Sequence, residues 1–409
     1  MKTTVLSIGA ATWLAVTLAS PAAIAGNLYT FTTIDGPNPG SNDGEMTFVQ
    51  AISDTHLIVG YAFPDSTCTN SFMFDNNTPI TLNIPVPNNW LGPVCIRAEG
   101  VNNSGHVVGT YGDTVVQGNG FLYHNGAFSN FGTVGLPPFP LPRTMPKGIS
   151  NSGLIVGNHQ DTEGEHAFID ISGYRHEFDI PGALSTYAHG INDFGRVAGT
   201  YLDATGSHGY LYYWGSFRRL NYPGGRETMA HGINDFGITV GSYEDAAGGL
   251  HGFVYQGGAF APFDVPFGSG TVLTGINNRG QIVGSYDLLI GNKPRHGFVA
   301  NPVTLLNLAT GVVRYKAASV RATIHSTTRF DAVADIDVSS LTFGRSGDEG
   351  SLMSCEVSPS RFGSGNLTCT FSVPMSGISC GDKRVFLNGR LRDGTAIRGS
   401  DDVQVRPCR

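Results

Sequence analysis

Charge is scarce in this chain. Only 14% of its 409 residues are Asp, Glu, Lys or Arg, the formal net charge is −7, and the 25 Lys and Arg form no run of five or six. A surface that tracks phosphates needs clustered cations, so nucleic acid is not an expected partner. No two cysteines stand in a C-x-x-C pair, which removes the common zinc and thiol-redox spacings. No serine lies in a G-x-S-x-G elbow with a helical continuation, and the Gly-Ser-Gly triplets at 268–270 and 363–365 lie between no strand and helix, so hydrolase-elbow and phosphate-loop chemistry find no support. Beyond the first 25 residues no apolar stretch approaches the roughly 20 residues of a membrane span.

Those first 25 residues read as a signal peptide: Lys2, an apolar stretch over 5–18, Pro21, and small Ala23 and Ala25 placed for cleavage before Gly26. The competing reading, a membrane anchor, suffers from the short stretch. The expectation is a secreted chain, extracellular or periplasmic, monomeric and without a membrane span once the leader is removed. Six cysteines (Cys68, Cys95, Cys355, Cys369, Cys380, Cys408) suit an oxidising compartment. Among the three connectivities open to the last four, Cys355 with Cys369 and Cys380 with Cys408 is preferred, and Cys68 and Cys95 are left to form a third bridge.

What the chain has in excess is glycine, 56 residues, about twice the usual share of roughly 7%. Much of it belongs to a repeated phrase: GVNNSGHVVGTY from Gly100, GISNSGLIVGNH from Gly148, GINDFGRVAGTY from Gly190, GINDFGITVGSY from Gly232 and GINNRGQIVGSY from Gly275, with a degenerate copy, AISDTHLIVGY, from Ala51. Starts at 51, 100, 148, 190, 232 and 275 give spacings of 49, 48, 42, 42 and 43, the length of a four-stranded propeller blade. A second phrase (HGYLYY from His208, HGFVY from His251, HGFVA from His296) and a third (HEFDIPG from His176, APFDVPF from Ala261) complete four short strands per unit. The sixth unit lacks its fourth strand, and residues 29–37 match that missing phrase. Closure by the N-terminal segment removes an open edge and predicts an all-β, six-bladed propeller over 26–302; a linear solenoid would leave the complementary fragments unexplained.

The phrase "GIN…G.IVG.Y…HGF.Y..G.F..ID.PG" resembles the HAF-type extracellular repeat of bacterial secreted proteins over roughly 28–300. That resemblance implies export and a propeller-like body, with no established reaction. Residues 303–409 leave the period and read as a β-sandwich, with strand-like runs at 319–325, 336–343, 367–373, 384–391 and 402–406. The runs RATIHSTTRFDAVADIDVSSLTFGRSGDE and CGDKRVFLNGRLRDGTAIRGSDDVQV resemble a C-terminal module of exported bacterial proteins. Many of its members carry an Asp/Asn-rich loop suited to calcium. Here that stretch is SRFGSGNLTC, without a carboxylate, so no metal is expected, and no cofactor either.

Candidate ligand-binding residues recur at fixed places in the repeats: His208, His251 and His296 on the third strand, Asp203, Asp245 and Asp287 on the loop before it, and Arg226 on the loop to the next repeat. They lie at the end opposite the short Asn-Asp-x-Gly turns, where the longer loops gather. The alternative is structural: each histidine ties a loop to a strand inside its own blade, and each Asp caps its own loop. No catalytic residue is assigned. Repetition without a unique polar constellation favours a non-enzymatic module presenting this loop face to glycan, polymer or a surface protein. A hydrolase or lyase in the central mouth would instead need unlike residues converging there.

Overall fold

The computed structural model describes residues 12–13, 26–36, 46–63, 70–75, 78–82, 95–112, 119–132, 143–266, 268–288, 295–308, 312–326, 331–360, 365–392 and 396–406. The remainder of the signal-peptide stretch, Cys68 and Cys408 lie outside them. The protein is all-β apart from one helical turn, Ala332–Asp335, N-capped by Asp331. Among the described residues no helix is long and apolar enough to cross a membrane.

Five four-stranded antiparallel sheets follow one another along the chain, beginning at Met46–Ile52, Cys95–Val101, Arg143–Ile149, Ser185–Ile191 and Glu227–Ile233. In each, sequential strands are neighbours. A sixth set starts with Gly268–Ile276 and Ile282–Leu288 and continues into Arg295–Leu308, beside which the N-terminal strand Gly26–Ile34 is hydrogen-bonded. Val, Ile, Tyr and Phe at alternate positions make these short strands, and the second strand of each sheet is buried on both faces, which is why it reads as an unbroken IVG-type run. Its glycine is required by space: a Cβ on Gly241 would lie 2.0 Å from the Met229 carbonyl and 2.8 Å from the Phe253 ring.

Packing divides the chain into two compact units, one holding residues 34–255 and 267–298, the other holding 256–266, 299–409 and the N-terminal strand as far as Thr33. In the first unit the opening strands of the six sets touch in a cycle that returns from Gly268–Ile276 to Met46–Ile52. The turns after them are joined the same way. Asp54 donates its N–H to Asn103 Oδ1 (2.7 Å), Asn103 to Asn151 (2.8 Å), Asn151 to Asp193 (2.6 Å), Asp193 to Asp235 (2.9 Å), Asp235 to Asn278 (2.9 Å), and Asn278 back to Asp54 (2.7 Å). Gly105, Gly153, Gly195, Gly237 and Gly280 close these turns at positive φ, as the sequence requires. The degenerate first copy manages with His56, at φ 67°. Also within this unit, Asp35 accepts from His296 Nδ1 at 2.7 Å.

The second unit packs around Ala322, Ile324, Phe343, Phe371, Val385 and Leu387. Ser319–Ile324, Asn366–Ser372 and Leu352–Ser358 are successive neighbours, as are Ile336–Gly344, Arg384–Leu391 and Ala396–Asp402. Cys355 faces Cys369 directly across one strand pair, Cα atoms 4.0 Å apart, and the two form the expected disulfide. Cys95 and Cys380 each also take part in a disulfide.

Candidate functional site

The seven residues singled out by the sequence all lie at the loop end of their sheets, but in separate small clusters. Asp203 accepts from the Thr205 N–H (2.7 Å), His208 Nε2 (3.1 Å) and Arg219 (2.7 Å), while His208 Nδ1 meets Asn221 Oδ1 at 3.1 Å. The Thr205 hydroxyl and N–H, with His208 behind them, hold the Asp203 carboxyl down to about 2. Asp245 repeats the arrangement with the N–H groups of Ala247 (2.8 Å) and Gly249 (2.7 Å) and with His251 Nε2 (3.3 Å), and the Gly249 N–H is the first reason its carboxyl titrates low. Asp287 pairs with Arg295 at 3.2 Å, and Arg226 with Glu244 at 3.2 Å on an open surface. His166, in the third sheet, bridges Asp161 and Asp179 and is raised by the Asp179 hydrogen bond. These are staples between a loop and the strands of the same repeat, the geometry of the structural alternative. His208 is 8% exposed, so His208→Ala is expected to lower stability by about 2 kcal/mol, read as a urea-midpoint shift at pH 7. Because His208 and Asn221 share this hydrogen bond, the loss is expected not to be additive with that of Asn221→Ala.

A different set of residues meets at the centre of the ring of first strands. In every repeat the pairing of the first strand with the second slips by one residue, between Val49/Ala51, Ala98/Gly100, Pro146/Gly148, Ala188/Gly190, Ala230/Gly232 and Leu273/Gly275. The bulged residue is the one before the GIN phrase: Gln50, Glu99, Lys147, His189, His231 and Thr274. Bulges re-aim a side chain and occur beside functional sites. The glycine that follows allows neighbouring first strands to approach: a Cβ on Gly190 would lie 2.5 Å from the His231 carbonyl, and one on Gly232 2.9 Å from the Gly275 Cα. Two residues nearer the loop end on the same strands stand Phe48, Arg97, Met145, Tyr187, Met229 and Val272. All twelve are half-buried, the exposure of side chains lining a lumen.

Here equivalent positions carry unlike chemistry. Lys147 Nζ pairs with Glu99 at 2.6 Å across two sheets. The rings of His189 and His231 are 5.1 Å apart, and Thr274 donates to the Val49 carbonyl at 2.7 Å. Arg97 lies over the Tyr61 ring at 5.4 Å, and Tyr61 stacks on Phe48. Burial lowers His231 to about 4; burial, then His231 and Lys147, takes His189 well below its ordinary value. Both imidazoles are therefore neutral near pH 7. Gln50, Arg97 and His189 make no side-chain hydrogen bond or ion pair among the described residues. The sequence reading did not group these residues, because it searched for recurring ones and so noticed His189 and His231 only as a repeated histidine; the available signal was one position that varies (Q, E, K, H, H, T) beside an otherwise constant phrase. At the turn end Ile52, Val101, Ile149, Ile191, Ile233 and Ile276 line a small pocket together with the Asp/Asn cycle, and no cluster there or elsewhere among the described residues has three groups placed to hold a metal ion.

No family model and no curated protein matches the chain. Among solved structures it is similar to an Aleuria aurantia lectin mutant in complex with α-methyl-L-fucoside (11% identity, 62% of this chain and 95% of that one, TM-score 0.37). It is also similar to the SapL1 lectin in complex with α-methyl fucoside (8%, 64% and 96%, 0.41) and to a neuraminidase-like protein of A/flat-faced bat/Peru (12%, 71% and 96%, 0.36). Likenesses of this size carry no argument about ligand or activity.

Proposed function

We propose that this chain is an exported, monomeric, six-bladed β-propeller of HAF-type repeats with a C-terminal β-sandwich, and that it binds a glycan in its central lumen, entered from the loop face. The observation that carries this is the contrast between the two ends of the search. The recurring loop residues are engaged within their own repeats, whereas Gln50, Arg97 and His189 present unlike, unpartnered polar groups to one half-buried space beside the rings of Phe48 and Tyr187. A sugar needs that mixture: apolar ring faces for its C–H surface and convergent donors and acceptors for its hydroxyls. The cycle of turns supports six blades, the disulfides support an oxidising compartment, and the two three-strand sets around one core support a sandwich.

The test is a glycan-array screen of residues 26–409 with disulfides intact, followed by calorimetry on the hits. Gln50→Ala and His189→Ala are expected to weaken binding at least tenfold, and Asp203→Ala with Asp245→Ala to leave it unchanged. Loss on the Asp pair alone moves the ligand to repeated sites on the loop face. A second reading, a hydrolase or lyase, is favoured by one feature: two neutral imidazoles, possible proton acceptors, stand beside a Lys–Glu pair. Release of new reducing or unsaturated ends from a bound polymer, abolished in His231→Gln, identifies it.

A further inference from the structure

We infer that the glycan residue taken by the lumen is acidic, its carboxylate held by Arg97 and Lys147. This rests on the binding reading above and specifies its ligand class. Two cations, Arg97 and Lys147, and one anion, Glu99, face the lumen from adjoining first strands. At these two levels Gln50, Met145, Tyr187, His189, His231 and Thr274 are uncharged near pH 7, and two residues nearer the loop end the same strand faces carry half-buried Arg143 and Glu227, of opposite sign. With Lys147 paired to Glu99, Arg97 is the cation left without an ion pair among the described residues, in a half-buried space. Arg295 adds nothing to this count, since Asp287 pairs with it at 3.2 Å.

An uncompensated charge removed from bulk water is costly, and an incoming anion relieves that cost. Arg97 is the residue through which it acts. The Lys147 ammonium already gives one hydrogen to Glu99, at 2.6 Å, but retains two more donors. The Arg97 guanidinium makes no ion pair among the described residues and is held only by its face, over Tyr61 at 5.4 Å, so its N–H edge remains available. That planar fork matches a carboxylate through two parallel hydrogen bonds. Inorganic phosphate or sulfate would satisfy the charge equally well but would leave Gln50, His189 and the aromatic rings unused, which favours a carboxylate on a polyhydroxylated ring, a uronic acid.

The experiment is calorimetry of residues 26–409 with oligogalacturonate, with its methyl ester and with inorganic sulfate. The free acid is expected to bind at least tenfold more tightly than the ester at low salt, with the difference shrinking as salt rises. Arg97→Gln is expected to remove that preference while ester binding persists. Glu99→Gln, which leaves a second positive charge, is expected to strengthen acid binding. Circular dichroism and the urea midpoint verify that each variant is folded, and Arg97→Lys, which keeps charge but loses the fork, is expected to retain only part of the preference. Equal affinity for acid and ester overturns the inference and leaves the glycan reading standing. Binding of sulfate as tight as that of the sugar acid replaces the uronic acid with a simple anion site. No binding of any of the three, together with an empty glycan array, overturns both.

Discussion

Replacing Asn234 by alanine is expected to destabilise the repeat unit by about 3 kcal/mol, the largest loss of any single polar substitution proposed here. Asn234 is 3% exposed, and its side chain makes three hydrogen bonds at once. Its Oδ1 accepts from the N–H groups of Phe236 (3.1 Å) and Ile238 (3.0 Å), shaping its own turn, while its Nδ2 donates to the Asn277 carbonyl (3.2 Å), tying that turn to the next repeat. Alanine leaves two donors and an acceptor buried, each worth roughly 1–3 kcal/mol when unpaired, with some recovery from water. Serine is the informative comparison. At the same place in another repeat, Ser150 Oγ accepts from the Leu154 N–H at 3.0 Å, so Asn234→Ser retains one of the three bonds. Its loss is expected to be about half that of Asn234→Ala. Urea unfolding followed by tryptophan fluorescence measures both, and equal losses for the two variants would show that side-chain volume, not hydrogen bonding, matters at this turn.

Acidification from pH 6.5 to 4 is expected to remove about 2 kcal/mol through His231, with a further contribution of the same sign from His189. The folded protein holds His231 near 4, whereas the unfolded chain titrates it near its ordinary 6.5. Between those values the unfolded state binds more protons, so stability rises with pH and is lost as pH falls. Full burial would give a somewhat larger figure; solvent in the lumen reduces it. Asp203, held down to about 2, loses its contribution at lower pH, which separates the two effects. The measurement is the urea midpoint across pH 4–7 for the parent and for His231→Gln. A flatter profile in the variant is the expected result, and an unchanged slope would rule out His231 as the titrating group.

Much of the fold was legible because it is periodic. The spacing of the GIN phrases located five complete four-stranded sheets, and the alternation within 230–265 placed strands now seen at Glu227–Ile233, Thr239–Glu244, Leu250–Gln256 and Ala259–Pro262. In the tail, Ser319–Ile324, Ile336–Gly344, Asn366–Ser372 and Arg384–Leu391 coincide with the expected runs. Of the tail strands among the described residues that escaped notice, two did so for clear physical reasons. Leu352–Ser358 keeps Met353 and Val357 exposed, so its apolar residues do not mark a buried face. Ala396–Asp402 contains Gly399, Ser400, Asp401 and Asp402, residues of low strand preference that are held by pairing with Arg384–Leu391.

The sequence by itself determined most of the strands and the turns, and it preferred the Cys355–Cys369 bridge among three connectivities, because each depends on residues close together in the chain or on a pattern repeated along it. It also offered the histidine staples as one of two readings. Only the tertiary structure decided which side chains share a space. Glu99 and Lys147, 48 residues apart, and His189 and His231, 42 apart, meet because a one-residue bulge turns the same position of every first strand toward a common centre. Local propensity does not encode that convergence; it arises from packing six strands in a cycle.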